Sequence, residues 1–304
     1  MPKPRCRACD LLVYWAVRLA VCLLQALPLA HGRTIARLLG RLAFLVDRRH
    51  REVARDNLRA AYPAGMSLRD LDRLVLGVYE HFAEVLLEMV HLPRKFHANT
   101  WRRYLDLADG ALLVRVLTSG RPVLLVTGHY GNWEMGGYVL GILGFAGFAI
   151  ARPLDNPYLD RFLRRFREKT GQRILAKKGD FDLIQQVLRQ GGLLCTLGDQ
   201  DAGQRGVFVN FFGRPASTHK AMAILALEHQ AHVLVAVARK VAEPMRYRVE
   251  VGRFLPAEEL SRHTVLSLTQ EITSALEQLV RRDPRQYFWL HRRWKHQPRR
   301  RVAA

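Results

Sequence analysis

Apolar residues recur along this chain in three rhythms, and each predicts a different kind of element. Residues 11–30, LLVYWAVRLAVCLLQALPLA, are apolar almost throughout. That is about the ~20 residues that a helix needs to cross a bilayer core. Arg18 interrupts the run and Pro28 bends or ends it. The segment therefore reads as a membrane-seeking helix, either spanning or lying in the plane; a cleaved signal peptide and a buried core helix are the alternatives. Residues 34–60 predict a strongly basic helix that stops at Tyr62-Pro63. From Ser67, the residues Leu68, Leu71, Leu74, Val75, Phe82, Val85, Leu86 and Met89 return at helical spacing, predicting an amphipathic helix that ends at Pro93.

The rhythm changes at Arg121. Pro122 to Thr127 is a short, partly β-branched run of the kind found in buried parallel strands, and Gly128-His129-Tyr130-Gly131 breaks it before a helix starting near Asn132. The alternation then repeats. Helices are expected over 159–169, 180–189, 217–229 and 264–282, and strands over 193–197, 233–238 and 247–254. Strands separated by helices imply an α/β fold, a mixed and mostly parallel sheet flanked by helices, with a helical N-terminal membrane-associated region. The expected organisation is an anchor or interfacial helix over 1–32, a helical region over 33–120, an α/β core over 121–290 and a basic tail over 291–304.

Charge alters this picture more than composition does. With 49% hydrophobic residues the chain is not disordered, but 48 Lys and Arg stand against 27 acids, a net charge of +21. An anionic partner follows, and charge alone does not choose between nucleic acid, acidic protein and membrane. Basic residues from Arg33 to Arg51 place the segment after the apolar run on the cytoplasmic side by the positive-inside tendency. The run His291 to Arg301 holds six Lys and Arg and no acid, beside Trp289 and Trp294, which suits an anionic membrane interface, a nucleic acid or a solvated tail. Cys6 and Cys9 have the spacing of half a zinc site, without a second pair of ligands. Cys195, in an apolar strand, is a poor nucleophile.

The strongest local signal is Gly128-His129-Tyr130-Gly131-Asn132-Trp133-Glu134. Five positions apart on one regular helix, His129 and Glu134 would lie about 140° apart and not meet. With His129 in the turn and Glu134 in the first helical turns, the carboxylate can reach back to the imidazole, and Gly128 and Gly131 free the turn's φ angles. An imidazole so held is a general base. The alternatives at this point are a helix-capping His with an exposed Glu, and a metal site of a hydrolase formed by His129, Asp199 and Asp201. Asp199 and His129 both follow strand ends, where ligands gather in parallel sheets.

This stretch resembles the His-x4-Asp/Glu motif of the bacterial lipid A biosynthesis late acyltransferases, the lauroyl/myristoyl-transferase family. REVARDNLRAAYP (51–63), ARPLDNPYL (151–159), GDQDAGQRGVFVNFFGRP (198–215) and QYFWLHRRWK (286–295) are similar to the family in the same order. Tyr130 stands where Phe is expected, and Ser217-Thr218-His219-Lys220 replaces a Thr-rich, less basic stretch. The resemblance implies a glycerolipid-acyltransferase-like fold at the cytoplasmic membrane, with its catalytic domain on the cytoplasmic side. It implies transfer of a fatty acyl group from acyl carrier protein or acyl-CoA to an anionic lipid such as a lipid A precursor, or to a phosphatidylinositol mannoside or ornithine-type lipid. His129 becomes the base and Glu134 its partner, while Arg152, Asp199, Gly213 and Arg214 fall at substrate-binding positions. No cofactor, metal or nucleic acid is implied. Phe208, Phe211 and Phe212 are candidates for an acyl pocket or for the core. The other open readings are a metal-dependent hydrolase and a non-enzymatic, basic membrane-binding protein.

Overall fold

The structure is a computed structural model and describes residues 6–298 apart from 64, 146, 177, 178 and 243. Four helices come first: α1 (Arg7–Ala26), α2 (Leu29–Val46), α3 (Arg48–Ala61) and α4 (Leu68–Lys95). The apolar run is therefore two helices, broken at Leu27-Pro28, and the basic helix expected over 34–60 is interrupted at Asp47, which caps α3 by accepting from the His50 amide. Pro93 sits inside the last turn of α4. Gly32, Ala36 and Gly40 form the buried stripe of α2. At Gly40 a Cβ would come within 2.8 Å of the Glu80 backbone, so small residues let α2 lie close against α4.

The remaining elements build the α/β layer. In chain order they are β1 (Leu105–Leu107), α5 (Gly110–Leu117), β2 (Val123–Thr127), α6 (Trp133–Ile142), β3 (Gly147–Ala151), α7 (Pro157–Glu168), β4 (Arg173–Ala176), α8 (Phe181–Arg189) and β5 (Leu193–Leu197). Then come β6 (Val207–Phe211), β7 (Arg214–Thr218), α9 (Ala221–His229), β8 (His232–Ala242), β9 (Arg246–Leu255) and α10 (Val265–Arg282). Seven strands form one sheet in the order β1-β9-β8-β2-β5-β3-β4. Every neighbouring pair is parallel except β8 with β9. The mixed, mostly parallel sheet with flanking helices is thus present. Residues 217–218, expected to begin a helix, instead end β7, whose hairpin with β6 stands apart from the main sheet.

Alternation along the central strands divides the core into two layers. Leu124 and Val126 of β2 join the layer formed with α8, α9 and α10, through Leu188, Met222, Leu268 and Leu276. Val123 and Leu125 face the other way, towards Leu112, Leu113 and Leu117 of α5 and Leu140 of α6. Full burial of each such side chain contributes roughly 1.5–3 kcal/mol. The C-terminal stretch is part of this core. Trp289 is fully buried, and Arg293 lies in the interior, donating to the Ser217 carbonyl and the Thr218 hydroxyl. A free cationic tail therefore does not describe residues 291–298, of which Arg292 and Lys295 are exposed; 299–304 lie outside the described residues.

Candidate active site

Two neighbouring strands set the geometry. β2 and β5 are parallel and in register, Thr127 opposite Leu197, and the Gly198 amide continues the ladder by donating to the Thr127 carbonyl at 2.9 Å. Two residues beyond these ends, His129 and Asp199 are brought side by side. Asp199 Oδ1 lies 2.9 Å from His129 Nδ1, and its Oδ2 accepts from the His129 amide at 2.9 Å. One carboxylate thus holds both the backbone and the ring of the histidine. The Nδ1 proton that this bond requires leaves Nε2 as the basic nitrogen. Among the described residues, Nε2 has no hydrogen-bond partner, and the His129 side chain remains 23% exposed.

The turn carrying His129 is fixed from several sides. Gly131 has φ +60°, and a Cβ there would lie 2.0 Å from the Ala238 carbonyl oxygen, so only glycine fits. Gly128 has no positive φ; its need is space, because a Cβ would press on Leu276 at 3.0 Å. The Asn132 amide donates to Ala238, the Gly131 amide to Gln286, and the Phe288 amide to the His129 carbonyl. His81, deeply buried on α4, donates from Nε2 to the Gly131 carbonyl at 3.1 Å. Burial lowers its pKa to about 4, so it stays neutral in that role. Tyr130 shows what its departure from Phe means: the ring is fully buried and the hydroxyl finds no hydrogen-bond partner.

Glu134 does not reach back to the imidazole. It lies in the first turn of α6, where Arg167 of α7 grips it through two bonds, Nε–Oε2 at 2.9 Å and Nη2–Oε1 at 2.5 Å. The Trp133 indole donates to the same Oε1. The carboxylate expected beside His129 is thus Asp199, from the neighbouring strand. Glu134 is part of a buried ion pair on the rim. The separation has a local cause, since Asn132 caps α6 through the Met135 amide and so places Glu134 on a flank that α7 covers.

These charges set the protonation of the site. Burial opposes charging of His129, but Asp199, by its charge and its hydrogen bond, outweighs it; Glu134 adds to this and Arg167 opposes it. The His129 pKa lies above the ordinary histidine value. Burial likewise disfavours the Asp199 carboxylate, yet its bonds to His129 hold its pKa below the usual range. Cys195 lies in the interior, its thiol pushed up to about 12 by burial.

Arg152 follows β3 at the same end of the sheet. Its side chain is 85% exposed and borders a small hollow with Arg164 and Arg167. Gly213, with φ +73°, and Phe212, with φ 51°, make the two-residue turn of the β6–β7 hairpin, which presents the exposed Arg214 against the Trp294 ring. No hydrogen bond or ion pair among the described residues joins Arg214 to His129 or Asp199. Asp201 turns to His296 at 2.6 Å, so it does not converge with His129 and Asp199 on a common point. Phe211 and Phe212 belong to the aromatic core around Tyr287 and Trp289.

The apolar space near the histidine lies elsewhere. A cavity of about 150 Å³ extends from Trp133, Glu134 and Thr127 beneath the sheet towards Leu113, Leu140 and Cys195. Trp133 links it to His129, the two ring centroids standing 5.0 Å apart. Arg167, Trp133 and Phe288 are the site residues that sequence reasoning passed over. For Trp133 the signal was its place inside the motif; for Arg167, on a helix full of arginines, there was none.

This assembly has known relatives. Residues 2–296 match the family of bacterial lipid A biosynthesis acyltransferases. The chain belongs to that family. Its similarity to individual members is distant. It is 26% identical over 291 residues to the lipid A biosynthesis lauroyltransferase of Escherichia coli (strain K12), covering 94% of this chain and 93% of that one. It is 24% identical over 263 residues to the palmitoleoyltransferase of the same organism, covering 86% and 83%. The phosphatidylinositol mannoside acyltransferase of Mycobacterium tuberculosis (strain ATCC 25618 / H37Rv) is 26% identical over 229 residues, with 73% and 71% covered. Members of the family are thus named for different glycolipid acceptors, and this chain is an acyltransferase of that kind.

Proposed function

We propose that the protein transfers a fatty acyl group from a thioester, carried by acyl carrier protein, to a hydroxyl of an anionic glycolipid at the cytoplasmic face of the membrane. The observation that carries this reading is the His129–Asp199 pair, with Nε2 free beside an apolar cavity. His129 Nε2 takes the proton from the acceptor hydroxyl, and Asp199 stabilises the imidazolium. The oxygen attacks the thioester carbonyl, giving a tetrahedral oxyanion. The Trp133 and Glu134 amides at the start of α6, which have no i−4 acceptor within the helix, donate to it on this reading. The C–S bond then breaks, and the departing thiolate takes the proton from His129. The acyl chain occupies the cavity under Trp133. Arg152 and Arg214, the latter presented by the turn at Gly213, meet acceptor phosphates, a role for which guanidinium geometry is suited. Glu134 and Arg167 brace the rim between cavity and base. An acidic carrier protein suits the +21 charge.

The acceptor is a lipid A precursor on this reading; a phosphatidylinositol mannoside is the second reading, supported by the similarity to an acyltransferase named for that lipid. Purified protein supplied with acylated carrier protein or acyl-CoA and either acceptor, with the lipids read by mass spectrometry, tests both points. A mass gain of one acyl group that is lost in His129→Ala is the expected result. An equal gain with His129→Ala contradicts the base assignment, and no gain with either glycolipid contradicts the acceptor class.

A further inference from the structure

α1 has the length and apolar composition of a membrane-crossing helix. Its contacts with the rest of the chain are those of a helix lying flat. The Asn156 side chain, at the start of α7, donates to the Asp10 carbonyl near one end of α1. At the other end the Gln25 side chain donates to the Val90 carbonyl, and Arg94 of α4 donates to the Gln25 carbonyl. Between these ties, Tyr14 meets the rings of Tyr158 and Phe162, and the Arg18 guanidinium lies 5.1 Å from the Phe162 ring. The tied stretch from Asp10 to Gln25 runs about 22 Å at the helical rise. Over that distance α1 rests on α7 and the end of α4.

The polarity of α1 is inverted relative to a helix that faces water. Arg18 near its middle and Gln25 near its end face the protein, whereas Leu12, Trp15, Leu19 and Leu23 are each more than half exposed on the outer face. α2 likewise leaves Leu38, Leu42 and Leu45 more than half exposed. An exposed apolar area of this extent marks an interaction surface. Arg161, Arg165 and Lys169 stand exposed at four-residue spacing along α7 and its C-terminal end, bordering the same groove as α1. A spanning α1 would carry these cations, with Arg94 and Lys95, into the hydrocarbon. Laid flat, it puts the leucines below the headgroups and the cations level with anionic phosphates.

We infer that α1 and α2 form a one-leaflet insertion surface, in which α1 lies in the plane of an anionic monolayer and does not cross it. This deepens the membrane association of the proposed function and rests on that reading. Cys6 and Cys9, exposed at the start of α1, report the topology. In a Cys22→Ala, Cys195→Ala background bound to sealed phosphatidylglycerol vesicles, a membrane-impermeant maleimide should label Cys6 and Cys9 without detergent. It should do so as completely as a control cysteine at exposed Ser261. Labelling of Ser261→Cys alone until detergent is added overturns the inference. Independently, Leu12→Glu with Leu19→Glu and Leu23→Glu should lower vesicle binding by at least about 10-fold in flotation, with transfer to a detergent-dispersed acceptor retained. Undiminished flotation of that variant overturns it, as does a wild-type dimer in solution that the same changes dissociate. Wild-type protein that fails to float at all removes the membrane reading itself, without bearing on acyl transfer.

Discussion

Two carboxylates stand at the carboxyl end of the sheet, and they do different work because different elements deliver them. Asp199 comes from a loop that continues β5 in register with β2, so the sheet ladder itself sets its distance to His129. Glu134 comes from the first turn of α6, and its partner Arg167 from a separate helix. The first is fully buried and bonded to His129; the second lines the cavity beside it. A motif spacing of five suggests the second pairing, yet strand register decides the first.

Substitutions separate these roles by size of effect. His129→Ala should lower kcat/KM by about 10²–10⁴-fold, the usual contribution of a positioned base, with vesicle binding unchanged. Asp199→Asn should follow within that range, because it removes both the ring orientation and the charge that stabilises the imidazolium. The two losses should not add, since each disables the same unit. Glu134→Gln should act mainly on stability, lowering it by roughly 1–3 kcal/mol in denaturant unfolding, below the cost of breaking a fully enclosed pair because Arg167 keeps access to water. A kcat loss for Glu134→Gln as deep as that for Asp199→Asn would erase the distinction between the two carboxylates. The smallest effect is expected at Tyr130. Tyr130→Phe removes a buried hydroxyl without a partner and should raise stability by about 1 kcal/mol, with activity preserved.

The sequence made the α/β layer legible where strands were strong and bounded. Val123–Thr127 and Leu193–Leu197 are apolar runs closed by glycine, and both are strands. β1, β3 and β4 passed unread, being three to five residues long and poor in β-branched residues, so that sheet pairing and not propensity forms them. The β6–β7 hairpin was hidden for another reason, since its turn uses Phe212 in a left-handed conformation held by Glu277, a conformation a phenylalanine does not advertise. At the site, the meeting of His129 with Asp199 was foreshadowed by their common place past strand ends. Its dominance over Glu134 was not, because it depends on Arg167, 33 positions further along the chain. The charge of the C-terminal run did not reveal that Arg293 supports β7 from inside.

The rate should rise with pH as His129 loses its proton, since only the neutral ring accepts one, and the raised pKa places this limb above the ordinary histidine range. Titration of the His129 ring by nitrogen NMR, in the wild type and in the Asp199→Asn and Glu134→Gln variants, tests the central claim most directly. The account predicts a wild-type pKa above that of free histidine, a marked fall in Asp199→Asn and a smaller fall in Glu134→Gln. A larger fall in Glu134→Gln than in Asp199→Asn would contradict it.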